Sequence, residues 1–136
     1  MALIHCDCSC RCHTTALVTS LLIGVVGAFL RITGVLYVNE VFLWAAFAIA
    51  VAYLAVLVLA SARLGRSEPC ECMCVNLSAV LVGILGTILL AVVLLLVGVA
   101  SIGVIGAILI GLLLFFLALM LTGTACFVRC ALDCGN

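Results

Sequence analysis

Residues 75–128 read VNLSAVLVGILGTILLAVVLLLVGVASIGVIGAILIGLLLFFLALMLTGTACFV, more than 50 consecutive positions without a charge. An α-helix rises about 1.5 Å per residue, so about 20 apolar residues cross a hydrocarbon core of about 30 Å. This stretch is more than twice that length and must therefore cross, turn and cross back. The turn is expected at Ser101-Ile102-Gly103, whose apolar flanks place it at the interface or under protein.

Working outward, Arg63, Gly65, Arg66, Ser67, Glu68 and Pro69 form the one obvious hydrophilic break, since proline cannot continue a helix and the charges cannot stay in lipid. Before it lie two more apolar runs, about 16–38 and 41–62, separated by the polar pair Asn39-Glu40 and interrupted only by Arg31. The fold class is thus an all-α membrane protein with four transmembrane helices in two tandem helical hairpins. An N-terminal cysteine-rich segment (1–15) precedes hairpin 1 (16–62), and a cysteine-rich linker (63–75) precedes hairpin 2 with a cysteine-bearing helical extension (76–136).

Composition agrees. Of 136 residues 70% are apolar and 7% charged, against an apolar share of roughly 45–50% in a soluble domain. The formal net charge is zero and no basic run occurs, which leaves no nucleic-acid partner to expect. The first 13 residues are polar and hold a single arginine, unlike the basic n-region of a cleavable signal, so the first span is expected to stay as an anchor.

The two halves resemble a repeat. A shift of 62 residues lays Cys8, Cys10 and Cys12 on Cys70, Cys72 and Cys74, and Gly24 on Gly86. Each half is then a CxCxC segment followed by a hairpin, and because a hairpin returns to its starting side the repeats are parallel. Four crossings bring Cys6, Cys8, Cys10, Cys12, Cys70, Cys72, Cys74, Cys126, Cys130 and Cys134 to one face. That face also carries Arg11, Arg63, Arg66 and Arg129 against Arg31 near the other, so the positive-inside rule makes the termini and the cysteine face cytoplasmic at insertion.

Of the Asp, Glu, His, Lys and Arg residues only Arg31 lies inside the spans. It sits close enough to its span's end to snorkel or to pair with Glu40 across the turn, and without a polar stripe or broken helices a transporter or channel is not expected. Gly24 and Gly27, Ala48 and Ala52, Gly83 and Gly86, Gly103 and Gly106 recur at spacings of three or four and form smooth faces for close helix packing. Tyr37, Phe42 and Trp44 gather at the cysteine-free end, where an aromatic belt belongs.

The cysteines follow two rulers. In an extended CxCxC strip, sulfurs recur on one edge about every 6.6 Å. Cys126, Cys130 and Cys134 form a helical stripe rising about 6 Å per step. A strip laid along the stripe would set sulfur opposite sulfur, within the Cα separation of about 5.5 Å that a disulfide prefers, so partners are expected between segments or subunits. No cofactor is required by this pattern. The competing reading is a soft-metal site, for Zn, Cu(I) or an iron–sulfur cluster, with His5 and His13 flanking the first run, though neither zinc-ribbon nor ferredoxin spacing is present. Acylation of membrane-adjacent cysteines would account for one or two of the ten. Catalysis has no paired-carboxylate pocket, phosphate loop or CxxC to stand on, so no enzyme is expected.

The run CDCSCRC at 6–12, the segment GVLYVNEVFLWAAFAIAVAYLAVL, the run GILGTILLAVVLLLVG and the ending LTGTACFVRCALDC together resemble small, cysteine-rich four-span membrane proteins of spore-forming anaerobic Firmicutes. The resemblance implies no activity. It implies a setting, a spore envelope assembled in cytoplasm and later oxidised, which would reconcile cytoplasmic insertion with eventual disulfides. The expected function is a non-enzymatic, self-associating homo-oligomeric scaffold in the lipid bilayer, cross-linked through its cysteine face.

Overall fold

The computed structural model describes residues 10–64, 71–97 and 103–134, with side chains described at 12, 14–59, 77–97 and 103–128. These residues form four helices, α1 Cys10–Ile32, α2 Glu40–Leu64, α3 Glu71–Val97 and α4 Val104–Cys134, and no strand. Each holds a window long and apolar enough to cross a bilayer: Thr14–Ile32, Glu40–Leu59, Leu77–Val97 and Val104–Val128. In hydrocarbon every backbone N–H and C=O must be satisfied within its own segment, which leaves the helix as the form these sequences can take. The chain is an all-α protein of four transmembrane helices. Most of the expected turn at Ser101-Ile102-Gly103 lies outside the described residues; Gly103 is a bend just before α4.

Hydropathy misplaced the end of α1, which closes at Ile32 rather than continuing to 38. Gly34 takes φ +75°, its N–H reaches the carbonyl of Arg31 at 3.2 Å, and Val35 N–H reaches Leu30 O at 3.1 Å. That pair of bonds is a Schellman cap, which needs a left-handed residue and finds it in a glycine hidden among apolar neighbours. The chain then runs without helix to Asn39, whose carbonyl accepts from Phe42 N–H at 3.0 Å as α2 begins. Val38 and Leu43, either side of that start, share one buried cluster, the pairing of a hydrophobic staple.

α4 is the hub. It packs against α1 on one side and α3 on another, and α2 rests on α3. Helices α3 and α4 are correspondingly the more buried pair and α1 and α2 the outer ones. One cluster joins Leu43 of α2, Leu90, Ala91 and Leu94 of α3, and Ile110 and Leu113 of α4; a second joins Ala50, Val80, Ile84 and Met120. Thus α1 and α2, consecutive in sequence, find their principal partners in the other half of the chain. The two tandem hairpins are present as the consecutive pairs α1–α2 and α3–α4, but each helix of the first pair packs mainly on a helix of the second. The reason lies in which faces are smooth: Gly24 and Gly27 of α1 are buried against α4, whereas Ala48 and Ala52 of α2 are exposed.

Candidate functional site: the cysteine-bearing end of the bundle

The contact between α1 and α4 leads step by step to the cysteines. At its tightest point Gly24 lies against Phe115 and Gly111; a Cβ on Gly24 would meet Phe115 Cβ at 2.9 Å and the Gly111 carbonyl at 3.0 Å. A Cβ on Gly111 would in turn meet Ala28 Cβ at 2.7 Å. Two backbones approach this closely only where side chains are absent, the means by which helices associate in lipid.

Nearer the cysteine end, buried Ser20 donates to Ala16 O at 2.7 Å and Thr122 donates to Ala118 O at 2.7 Å, with the two hydroxyl oxygens 3.3 Å apart. Both hydroxyls are satisfied by the carbonyl one turn back, so burying them costs little. Further out, Cys12 and Cys126 are joined by a disulfide with their Cα atoms 6.2 Å apart, across 114 residues of sequence. The start of the first span is thereby tied to the end of the last, and the two helices run antiparallel. On α3, Gly83 against Met120 and Gly123 against Val80 show the same antiparallel sense. The N-terminal ends of α1 and α3 and the C-terminal end of α4 therefore share one end of the bundle.

The pairing of N-terminal cysteines with the α4 stripe is as expected for Cys12, but its geometry is not. Helix α1 already includes Cys10 and Cys12, and α3 includes Cys72 and Cys74, so these are not extended strips. An isolated extended segment has no strand to bond to, whereas a helix satisfies its own backbone while prolonging the span. On a helix, positions two apart point to nearly opposite sides and positions four apart share a face. A CxC alternation therefore does not line one edge of a helix; the spacing that does is four. Cys6, Cys8 and Cys70 lie outside the described residues, as do the side chains of Cys10, Cys72, Cys74, Cys130 and Cys134. Among the described residues no group of three metal-ligating side chains is gathered.

Of the other expected packing residues, Gly83 and Gly86 are closed against α4, where a Cβ on Gly86 would overlap the Phe116 ring at 2.5 Å; Gly106 is buried, and Gly103 has open space around it. Gly111, Gly123, Ala50 and Ala91 also form the contacts, and their burial was legible only as further small residues in apolar runs. At the opposite end of the bundle, Arg31 does not pair with Glu40. Its guanidinium donates to Leu36 O at 3.1 Å and stands 5.9 Å from the Tyr37 ring centroid. The cap at Gly34 folds the chain back so that a carbonyl five residues on is the nearest acceptor, and Glu40 stays exposed in the first turn of α2, where the helix dipole favours an anion. Tyr37, Phe42 and Trp44 are exposed at this end, as an interfacial belt requires.

An open groove beside the α1–α4 contact is lined by Leu21, Gly24, Val25, Ile108, Gly111 and Phe115 among others, all apolar or glycine, and offers no group to orient a polar substrate. Comparison of the chain with protein-family models, curated proteins and solved structures finds no match.

Proposed function

We propose that this protein is a non-enzymatic structural component of a membrane, which self-associates laterally and is fastened covalently through its cysteine-bearing end. The observation that carries the reading is the Cys12–Cys126 disulfide, which ties the first span to the last at the end of the bundle where the chain concentrates its remaining thiols. Large apolar side chains such as Leu22, Val25, Phe29, Leu85 and Leu89 are exposed around the outside, a surface that lipid or neighbouring copies cover. Eight further cysteines remain for bonds between copies and within the chain.

Counting crossings along the sequence assigns Arg11, Arg63, Arg66 and Arg129 to the cysteine side, which favours insertion with the cysteines in the cytoplasm, where thiols are kept reduced. The disulfide requires later exposure to oxidant, and a spore envelope, made in cytoplasm and then exposed, satisfies both conditions. The test is electrophoresis without reductant of the full chain, purified in detergent after its free thiols are blocked, with metal content measured on the same sample. A ladder of oligomers that collapses with reductant, and no metal, is the expected result. A single monomeric band with stoichiometric zinc or copper would replace the scaffold with a metal site.

A further inference from the structure

The apolar groove beside the α1–α4 contact lies in one half of the membrane part. On α1 it is lined between Leu21 and Ala28, within the span Thr14–Ile32, and on α4 between Ile108 and Phe115, within Val104–Val128. Leu21 and Phe115 set its deep end, each 11 residues from the cysteine-free end of its span, at Ile32 and Val104. At about 1.5 Å per residue both lie about 16 Å inside, about half of a hydrocarbon core of about 30 Å. The groove therefore serves one leaflet, reaching from near its surface to the middle of the bilayer. It holds about 250 Å³ along about 10 Å of helix, a cross-section of about 25 Å². A helix with its side chains is about 10–12 Å across, more than three times that area, so a neighbouring helix cannot enter the groove whereas a single hydrocarbon chain can.

Arg31 stands at the level where such a chain would meet its headgroup. It is seven residues beyond Gly24, two turns on and within about 20° of the same face of α1. Its guanidinium donates to Leu36 O at 3.1 Å and stands over the Tyr37 ring; among the described residues it makes no other hydrogen bond, which leaves four of its five N–H donors open. Glu40, the one carboxylate among the described side chains, does not pair with it. A cation at the edge of hydrocarbon with open donors and no counter-ion is complementary to a phosphate at the same level, which the guanidinium fork can bind by two bonds. The exposed Tyr37, Phe42 and Trp44 mark that level as the headgroup interface. We infer that this is a binding site for a membrane phospholipid, with one acyl chain in the α1–α4 groove and the phosphate accepting from Arg31. A phospholipid joins an apolar chain to an anion at the spacing of one leaflet, as the groove and Arg31 require. The site belongs to a single molecule and stands whether or not copies of the chain associate.

The test is photolabelling. The full chain, freed of native lipid in dodecyl maltoside, a detergent without phosphate, receives phosphatidylglycerol bearing a diazirine midway along one acyl chain, and is illuminated, digested and mapped by mass. Label is expected on α1 between Leu21 and Ala28 and on α4 between Ile108 and Phe115, well above that on other exposed apolar residues such as Val56 and Leu85. Plain phosphatidylglycerol should displace it about tenfold more effectively than dioleoylglycerol, which has the chains and no phosphate, the factor that a hydrogen bond to a charged group typically supplies. In Arg31→Gln that preference should vanish. Val25→Trp, which fills the groove from an exposed position, should abolish the groove label, and Val56→Trp, outside the groove on α2, should leave it unchanged. Even labelling of all four helices, a groove without label, as a second copy covering it would leave, or an unchanged preference in Arg31→Gln would overturn the inference. The labelling pattern and the competition are read on the unmutated chain and need no variant to fold.

Discussion

Glycine at position 24 is where the α1–α4 contact is least forgiving. The atoms a new Cβ would meet are Phe115 Cβ and a backbone carbonyl, neither of which can swing aside as the end of a flexible side chain can. Overfilling a packed contact typically costs about 1–3 kcal/mol. Gly24→Ala is therefore expected to lower the thermal midpoint of the detergent-solubilised protein by several degrees, while Gly103→Ala, with nothing within 4 Å, should leave it within about 0.5 kcal/mol of the parent. Equal effects of the two would show that this crossing does not hold the bundle together. The sequence marked both glycines alike, because small-residue spacing says a smooth face exists and not which neighbour closes on it. Gly34 was overlooked for the converse reason: its role is a backbone angle, and nothing in a run of apolar neighbours signals one.

The helices themselves were readable from apolar length, since only four crossings fit the runs available, but their partners were not. Sequence adjacency suggests that α1 packs on α2, whereas α1 packs on α4 and α2 on α3; for α1 the choice is made by the glycines of the α1–α4 contact. The same choice gives the Cys12–Cys126 bond its leverage, for it closes a contact between the two helices most distant in sequence. A native disulfide typically contributes about 2–4 kcal/mol. Cys12→Ser with Cys126→Ser should therefore reduce the thermal midpoint markedly, and reductant should bring the parent down to the level of the variant. A parent whose melting is indifferent to reductant would mean that the glycine and hydroxyl contacts alone hold α1 in place. The extended cysteine strips differ at this scale too: alternation suggests a strand, yet among the described residues there is no partner strand, and at Cys10–Cys12 and Cys72–Cys74 the helix continues outward from the span.

At the scale of the molecule, α1 and α3 both run antiparallel to α4, which puts the described helix ends that hold Cys10 and Cys12, Cys72 and Cys74, and Cys126, Cys130 and Cys134 at one end of the bundle. Single-cysteine variants retaining Cys10, Cys72 or Cys134 should accordingly react with a membrane-impermeant maleimide from the same side of sealed vesicles. Labelling of Cys72 from the side opposite Cys134 would break the four-span topology. Cys12 and Cys126 lie along the α1–α4 seam and are bonded within the chain. On the scaffold reading proposed above, bonds between copies come from the other eight cysteines. Replacing those eight with serine should then give a monomer on a gel without reductant while α1 stays bonded to α4. Replacing the two seam cysteines instead should preserve reductant-sensitive oligomers in a less heat-stable protein. The reverse outcome, oligomers that survive the first set and vanish with the second, would mean that the seam bond exchanges between neighbouring chains and that the assembly is built by swapping the α1–α4 contact.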